Sequence, residues 1–263
     1  MSSEVVLRND DNAVRQDTLL SCILDMGELL LTSGAEVMRV EDTITRITSA
    51  YGFVKTDVFT ITSSIVLTVH TQDGRILTQT RRIRSHDTDL GRVARINEFS
   101  RQLCASPQEV EELAERVQEL RRAPVYPAWI RCGMYAIISA AFSVFFGGTA
   151  HDALTAAISG ILLFLSLRVM GRLRVSSILL NLLCSAFAAL AVAGMVALGI
   201  GQHPDKIIIG NIMLLIPGIA LTSSLRDMIN GDTISGLLGL CEAVLKALAI
   251  AIGFAIVLMQ TGG

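Results

Sequence analysis

Val37, Val40, Ile44 and Ile47 recur at three- and four-residue steps with polar residues between them, the pattern of a helix that buries one face. Residues 14–52 as a whole suggest two helices. Ser33-Gly34-Ala35-Glu36 precedes the second with the spacing of a capping box, in which the Ser oxygen and the Glu carboxylate satisfy free N–H groups. That gives Glu36 a structural role beside a functional one, and the pattern leaves both open. From Lys55 to Arg84 the period changes to two: Ile65, Leu67 and Val69 face one way, and "QDGR" supplies an Asp-Gly turn before "ILTQTRRI". Two or three strands with a hairpin are expected. Two more helices follow; Ser106-Pro107-Gln108-Glu109 reads as a helix start, and Val110, Leu113, Val117 and Leu120 form the stripe behind it.

The order ααβββαα predicts a small α+β domain over residues 15–125, after a disordered 1–14. Residues 126–263 read differently. Five apolar runs, at about 129–147, 153–170, 176–200, 207–225 and 234–259, come near or exceed the roughly 20 residues that cross a bilayer core. The fold class expected is therefore an α-helical membrane protein with about five transmembrane helices, preceded by a small soluble α+β domain.

Composition agrees. The chain is 51% hydrophobic with a mean hydropathy of +0.55 and only 17% charged residues. Residues 1–131 carry 16 of the 22 Lys and Arg and 19 of the 24 Asp and Glu, which separates a soluble part from a membrane part. Net charge is −2 and the front-half arginines alternate with acids, so no nucleic-acid surface is expected. The five cysteines lack metal-ligand spacing, and neither a metal nor a cofactor is expected. The polar N-terminus, "MSSEVVLRNDDNAVRQ", is unlike a signal peptide, so the front domain is expected to stay where it is made. Arg168, Arg172 and Arg174 between the second and third spans, and Arg226 between the fourth and fifth, contrast with a lone Lys206 in the other connections. This places the front domain in the cytoplasm and the C-terminus outside.

Enzyme signatures are weak. Ser85, His86 and Asp87 adjoin in sequence, but a triad converges in space, so a strand-to-helix loop with an Asp cap is the better reading. His70 reads as a strand-end residue, and neither a phosphate loop nor H-E-x-x-H occurs. The membrane half is more informative. Glu242 and Lys246, four apart in the fifth span, share a helix face and can pair. At a helix centre each charge costs about 2.5–3.5 kcal/mol, so neither is expected to face lipid; they are a structural pair or they line a polar path or a subunit interface. Pro217 removes a backbone donor in mid-span and Gly218 eases the bend. Freed carbonyls there need protein or water, as in the broken helices that carry substrate sites in transporters. A packing kink is the plain alternative.

"LLLTSGAEVMRVEDTITRITSAYG", "TSSIVLTV" with "TQTRRI", and "LLIPGIALTSSLRDMINGDTISG" together resemble the threonine/serine exporter (ThrE-like) family across residues 15–258. The chain is most similar to its shorter, split members, which pair a soluble domain and about five helices with a separate small membrane protein. The resemblance implies secondary export of small polar metabolites across a bacterial cytoplasmic (inner) membrane: threonine and serine in some members, succinate in a split pair. It also implies that the family pattern falls on Gly34, Glu36 and Glu41 in the front domain and on Pro217, Gly218, Asp227, Gly231 and Asp232 behind it. Fused members continue into a second five-helix half, which this chain lacks, so it is not expected to form the pathway alone.

The expectation is thus a transporter subunit rather than an enzyme, binding a small carboxylate-bearing metabolite near Pro217-Gly218. Asn211 would offer neutral contacts there, and Lys246 the one basic side chain well inside a span. Asp227 and Asp232 either cap the helices around "INGD" or take up protons and gate access. Expected partners are a second small membrane subunit of the same family, further copies of the chain and the lipid bilayer. A membrane-anchored receptor or scaffold is the competing class. An enzymatic front domain would require Glu36 and Glu41 to meet the Arg81/Arg82 region.

Overall fold

The computed structural model describes residues 2–84, 86–122, 126–173 and 175–261, with side chains described from Val14 to Gln260. Ser85, Arg174 and the expected domain boundary at 125 lie outside the described residues. Two units are distinct. One gathers Met1–Ala123 and Ile219–Leu240, the other Pro124–Gly218 and Cys241–Gly263.

In the first unit α1 (Ser2–Thr32) and α2 (Val37–Ala50) are separated by Gly34, whose φ of +91° lets the chain reverse. The Gly34 and Ala35 N–H groups donate to the Leu31 and Leu30 carbonyls, so this stretch closes α1. The capping box expected at Ser33–Glu36 is thereby corrected: Glu36 occupies the N-cap position of α2 and its side chain makes no cap bond. Helix α1 begins at Ser2, inside the stretch expected to be disordered. No Gly or Pro precedes Gly27, and a helix anchored by the buried residues between Leu19 and Leu31 propagates upstream more cheaply than it nucleates.

Strands β1 (Lys55–Ile61), β2 (Ser64–His70) and β3 (Ile76–Arg82) form one antiparallel sheet in that order, with Val58 opposite Leu67 and Leu67 opposite Gln79. Ile65, Leu67 and Val69 are fully buried, as the alternation predicts. They share a core with the α2 stripe and with α1, which Gly27 brings close to Ile44 and Ile65. Helix α3 (Leu90–Ala105) is capped by Asp89, which accepts from the Arg92 N–H at 2.8 Å. Pro107 holds Ser106 extended, so Ser106 ends α3 and α4 (Val110–Arg122) starts from Glu109, three residues later than the sequence motif suggests.

The second unit contains α5 (Ala128–Phe145), α6 (Ala150–Met170), α7 (Ser177–Ala197), α8 (Pro204–Leu215) and the later part of α10 (Thr233–Thr261). Helix α9 (Gly218–Ile229) and the start of α10 belong to the first unit. Among the described residues, four helices are long and apolar enough to cross a membrane: Ala128–Phe145, Ala150–Met170, Ser177–Ala197 and Thr233–Gln260. The pair α8 and α9 makes a fifth candidate, broken at Ile216-Pro217. Pro217 keeps Ile216 extended (φ −59°, ψ 126°) and ends α8 there. The chain is a multi-pass membrane protein, mostly helical, with a small three-stranded sheet ahead of its spans.

Small residues set the packing of the second unit. Gly160 on α6 and Gly210 on α8 lie against the α5 backbone at Tyr135 and Ser139, and Gly253 on α10 lies against Ser185 on α7. Larger apolar side chains such as Leu190 and Leu248 point outward.

Candidate functional site

Two groups of expected site residues, about 190 positions apart in sequence, meet in the first unit. Arg226 and Asp227 leave the last turn of α9 side by side and reach the start of α2. Arg226 pairs with the Glu36 carboxylate. The Val37 N–H donates to Asp227 Oδ1 at 3.2 Å, so Asp227 caps α2 from another helix. A free N–H at the positive end of a helix macrodipole is where a carboxylate stabilises most.

Asp227 is nevertheless only 7% exposed. It stands beyond the expected fourth span, and burial pushes its pKa up to about 6; the Val37 N–H and Arg226 oppose the rise, while Asp232 and Glu36 add to it. A carboxylate with that pKa titrates near physiological pH.

The turn after α9 brings the other acids in. Gly231 has a φ of +101°, and the Asp232 N–H donates to the Asp227 carbonyl at 2.9 Å. Asp232 then takes the position before α10, its carbonyl accepting from the Gly236 N–H. Glu41, one turn along α2, accepts from the Thr60 N–H of β1 at 2.8 Å, and the Ser235 hydroxyl donates to the Thr60 carbonyl at 3.3 Å. Burial raises the Glu41 pKa, and the Asp232 charge raises it further. Glu36, Glu41, Asp227 and Asp232 therefore form one acidic junction, with Gly34 at its edge.

Arg81 is not part of it. Its guanidinium pairs with Asp25 of α1 at 2.8 Å and donates to the Ser21 carbonyl and hydroxyl, so it ties β3 to α1. Arg121 of α4 joins the same acids, at 3.4 Å from Asp25 and 3.1 Å from Glu28. Arg81 thus serves this network and not the meeting with Glu36 and Glu41 that an enzymatic front domain would need.

In the second unit, Asn211 is fully buried. Its Oδ1 accepts from the Ser139 hydroxyl at 3.1 Å, and its Nδ2 donates to the Ser159 hydroxyl at 2.6 Å and to the Ile207 carbonyl. The amide thus joins α5, α6 and α8 below the break at Pro217. Lys246 Nζ and Glu242 Oε1 are 2.8 Å apart along one face of α10, the pairing their spacing predicts.

Two polar sites escaped the sequence reading. Asp152, fully buried, accepts from the Gln202 and His203 N–H groups at 2.8 and 2.9 Å, and its Oδ2 lies 2.8 Å from His203 Nδ1. Its capping box with Thr149 was visible as "TAHD". Arg226 was counted for topology alone, and nothing local in the sequence pairs it with Glu36.

Comparison with known proteins matches the ThrE threonine/serine exporter model over residues 21–260, nearly the whole chain. The chain belongs to the threonine/serine exporter family. It is 26% identical over 241 residues to the "Probable threonine/serine exporter" of Mycobacterium tuberculosis, covering 90% of this chain and 45% of that protein. The "Threonine/serine exporter" of Corynebacterium glutamicum is 25% identical over 237 residues, or 87% of this chain and 48% of its own length. The chain therefore spans about half the length of these two exporters. It matches the "Probable succinate transporter subunit YjjP" of Klebsiella aerogenes nearly end to end, at 26% identity over 89% of this chain and 90% of that one. No solved structure matches this member of the family.

Proposed function

We propose that this chain is one subunit of a secondary transporter that exports small carboxylate-bearing metabolites, threonine and serine or a dicarboxylate such as succinate, across the bacterial inner membrane. A second small membrane subunit of the same family completes it. The observation that carries the reading is the buried Asp227, which sits at the exit of a Pro-Gly-broken helix and caps a helix of the soluble unit. A proton on Asp227 would leave an oxygen for the Val37 N–H but remove the charge that Asp232, Glu36 and Arg226 sense, which gives the junction a means of coupling proton uptake to access. The front unit is cytoplasmic and the C-terminus outside, in keeping with the Arg-rich connections. The cargo contacts the break at Pro217 and Gly218, where Asn211 fixes the preceding helix and Lys246, held by Glu242, is the basic group inside a span. The relative named as a succinate transporter subunit, and the exporters of about twice this length, support a partner.

The test is exchange of labelled threonine, serine and succinate in liposomes preloaded with the same compound, with this chain alone and with its partner. Exchange is expected only when both chains are present. Exchange by this chain alone would remove the two-subunit reading, and binding without exchange under any condition would favour a receptor.

A further inference from the structure

Arg39 stands apart from the other arginines near the junction. Arg226 is paired with Glu36, Arg46 with Asp42 at 2.8 Å and Arg101 with Glu98. Among the described residues Arg39 has neither an ion-pair nor a hydrogen-bond partner. It lines a cavity of about 310 Å³ in the first unit, and with Glu36 it also borders a larger groove of about 800 Å³ along α2 and α3. The smaller volume lies at the lower end of the roughly 300–1,000 Å³ that small-molecule sites occupy.

The wall of the smaller cavity is mixed in a specific way. Ile219, Thr222, Ser223 and Arg226 recur at helical spacing along α9, which places two hydroxyls beside the Glu36–Arg226 pair. Ala35, Leu90 and Val93 supply a short apolar side. We infer that this cavity of the first unit, between α2, α3 and α9, is a ligand site for a small neutral α-amino acid, whose carboxylate Arg39 binds and whose ammonium group Glu36 accepts. A guanidinium offers a planar fork of donors matched to a carboxylate. Glu36 gives one oxygen, Oε1, to Arg226, which leaves Oε2 to face the ligand. A dicarboxylate fits worse. With Arg226 occupied there is one unpaired cation, and a second carboxylate would meet Glu36 with Asp227 next to Arg226. The site goes beyond the transport reading, since it concerns binding to the first unit whether or not exchange occurs.

Equilibrium binding of labelled L-serine and of succinate to the full chain in nanodiscs, without a partner, tests this. Wild type is expected to bind serine more tightly than succinate. Arg39 is exposed and unpaired, so Arg39→Gln should fold normally and weaken serine binding at least tenfold. Glu36→Gln keeps a hydrogen-bonding side chain beside Arg226 and should shift preference toward succinate. Serine binding that is absent, or unchanged in Arg39→Gln, overturns the site, and a wild-type preference for succinate overturns the ligand class. Exchange in liposomes without Arg39-dependent binding leaves the transporter standing and removes this site; Arg39-dependent binding without exchange does the reverse.

Discussion

Gly210→Ala is expected to destabilise the membrane unit by about 1–3 kcal/mol or more, the range found for overpacking a well-filled interior. A Cβ built on Gly210 would lie 2.3 Å from the Ser139 carbonyl oxygen and 3.2 Å from its hydroxyl. The first of these is a backbone atom of α5, so no rotamer change relieves the clash and α8 must shift away from α5. Asn211 is the next residue. Its bonds to Ser139 and Ser159, at 3.1 and 2.6 Å, would be stretched by the same movement, leaving buried amide and hydroxyl groups unsatisfied where no water replaces them. Gly194→Ala is the control, because nothing lies within 4 Å of its Cβ position on α7 and alanine is the better helix former. Thermal unfolding in one detergent should show a clear loss for Gly210→Ala and none for Gly194→Ala. Equal unfolding temperatures for the two variants would mean that α5 and α8 are not locked at this contact.

Periodicity made much of this fold legible. The α2 stripe, the buried face of β2, the α4 stripe and the Glu242–Lys246 pair all follow from spacing within one element, because 3.6-residue and 2-residue repeats fix which side chains share a face. Helix starts were harder to read. Ser33 and Ser106 both carry N-cap chemistry, yet each lies at the end of the preceding helix, because Gly34 and Pro107 decide the backbone path there. The junction was legible only as two separate groups. Glu36 and Arg226 are 190 positions apart, as are Val37 and Asp227, and no local pattern records such a contact. The same limit applies to Gly210: the letter in the sequence does not say that another helix backbone lies against it. Family resemblance drew attention to Glu36, Glu41, Asp227 and Asp232, while their convergence required the fold.

Asp227→Asn should keep the cap on α2 and abolish the titration near pH 6. The Asn side-chain oxygen can accept from the Val37 N–H much as the carboxylate does, since Asn and Asp are about equal as caps. The charge is what disappears. An unfolded Asp titrates near 3.9, whereas Asp227 in the fold titrates at about 6. Between those values the folded chain holds a proton that the unfolded chain has lost, so stability falls as pH rises through this window and is level above it. The stabilisation is therefore present below about pH 4 and lost by about pH 6. Half-buried Asp25 and Glu41 shift in the same direction, so the pH dependence of wild type is a sum; the difference between wild type and Asp227→Asn isolates residue 227. In exchange assays the wild-type rate should change with a midpoint near pH 6, and Asp227→Asn should hold the rate of the acid end across the range. Asp227→Ala removes the acceptor as well and should be less stable than Asp227→Asn by about 1 kcal/mol at every pH. An Asp227→Asn protein that keeps the wild-type midpoint would assign the proton to another group and leave Asp227 with the cap alone.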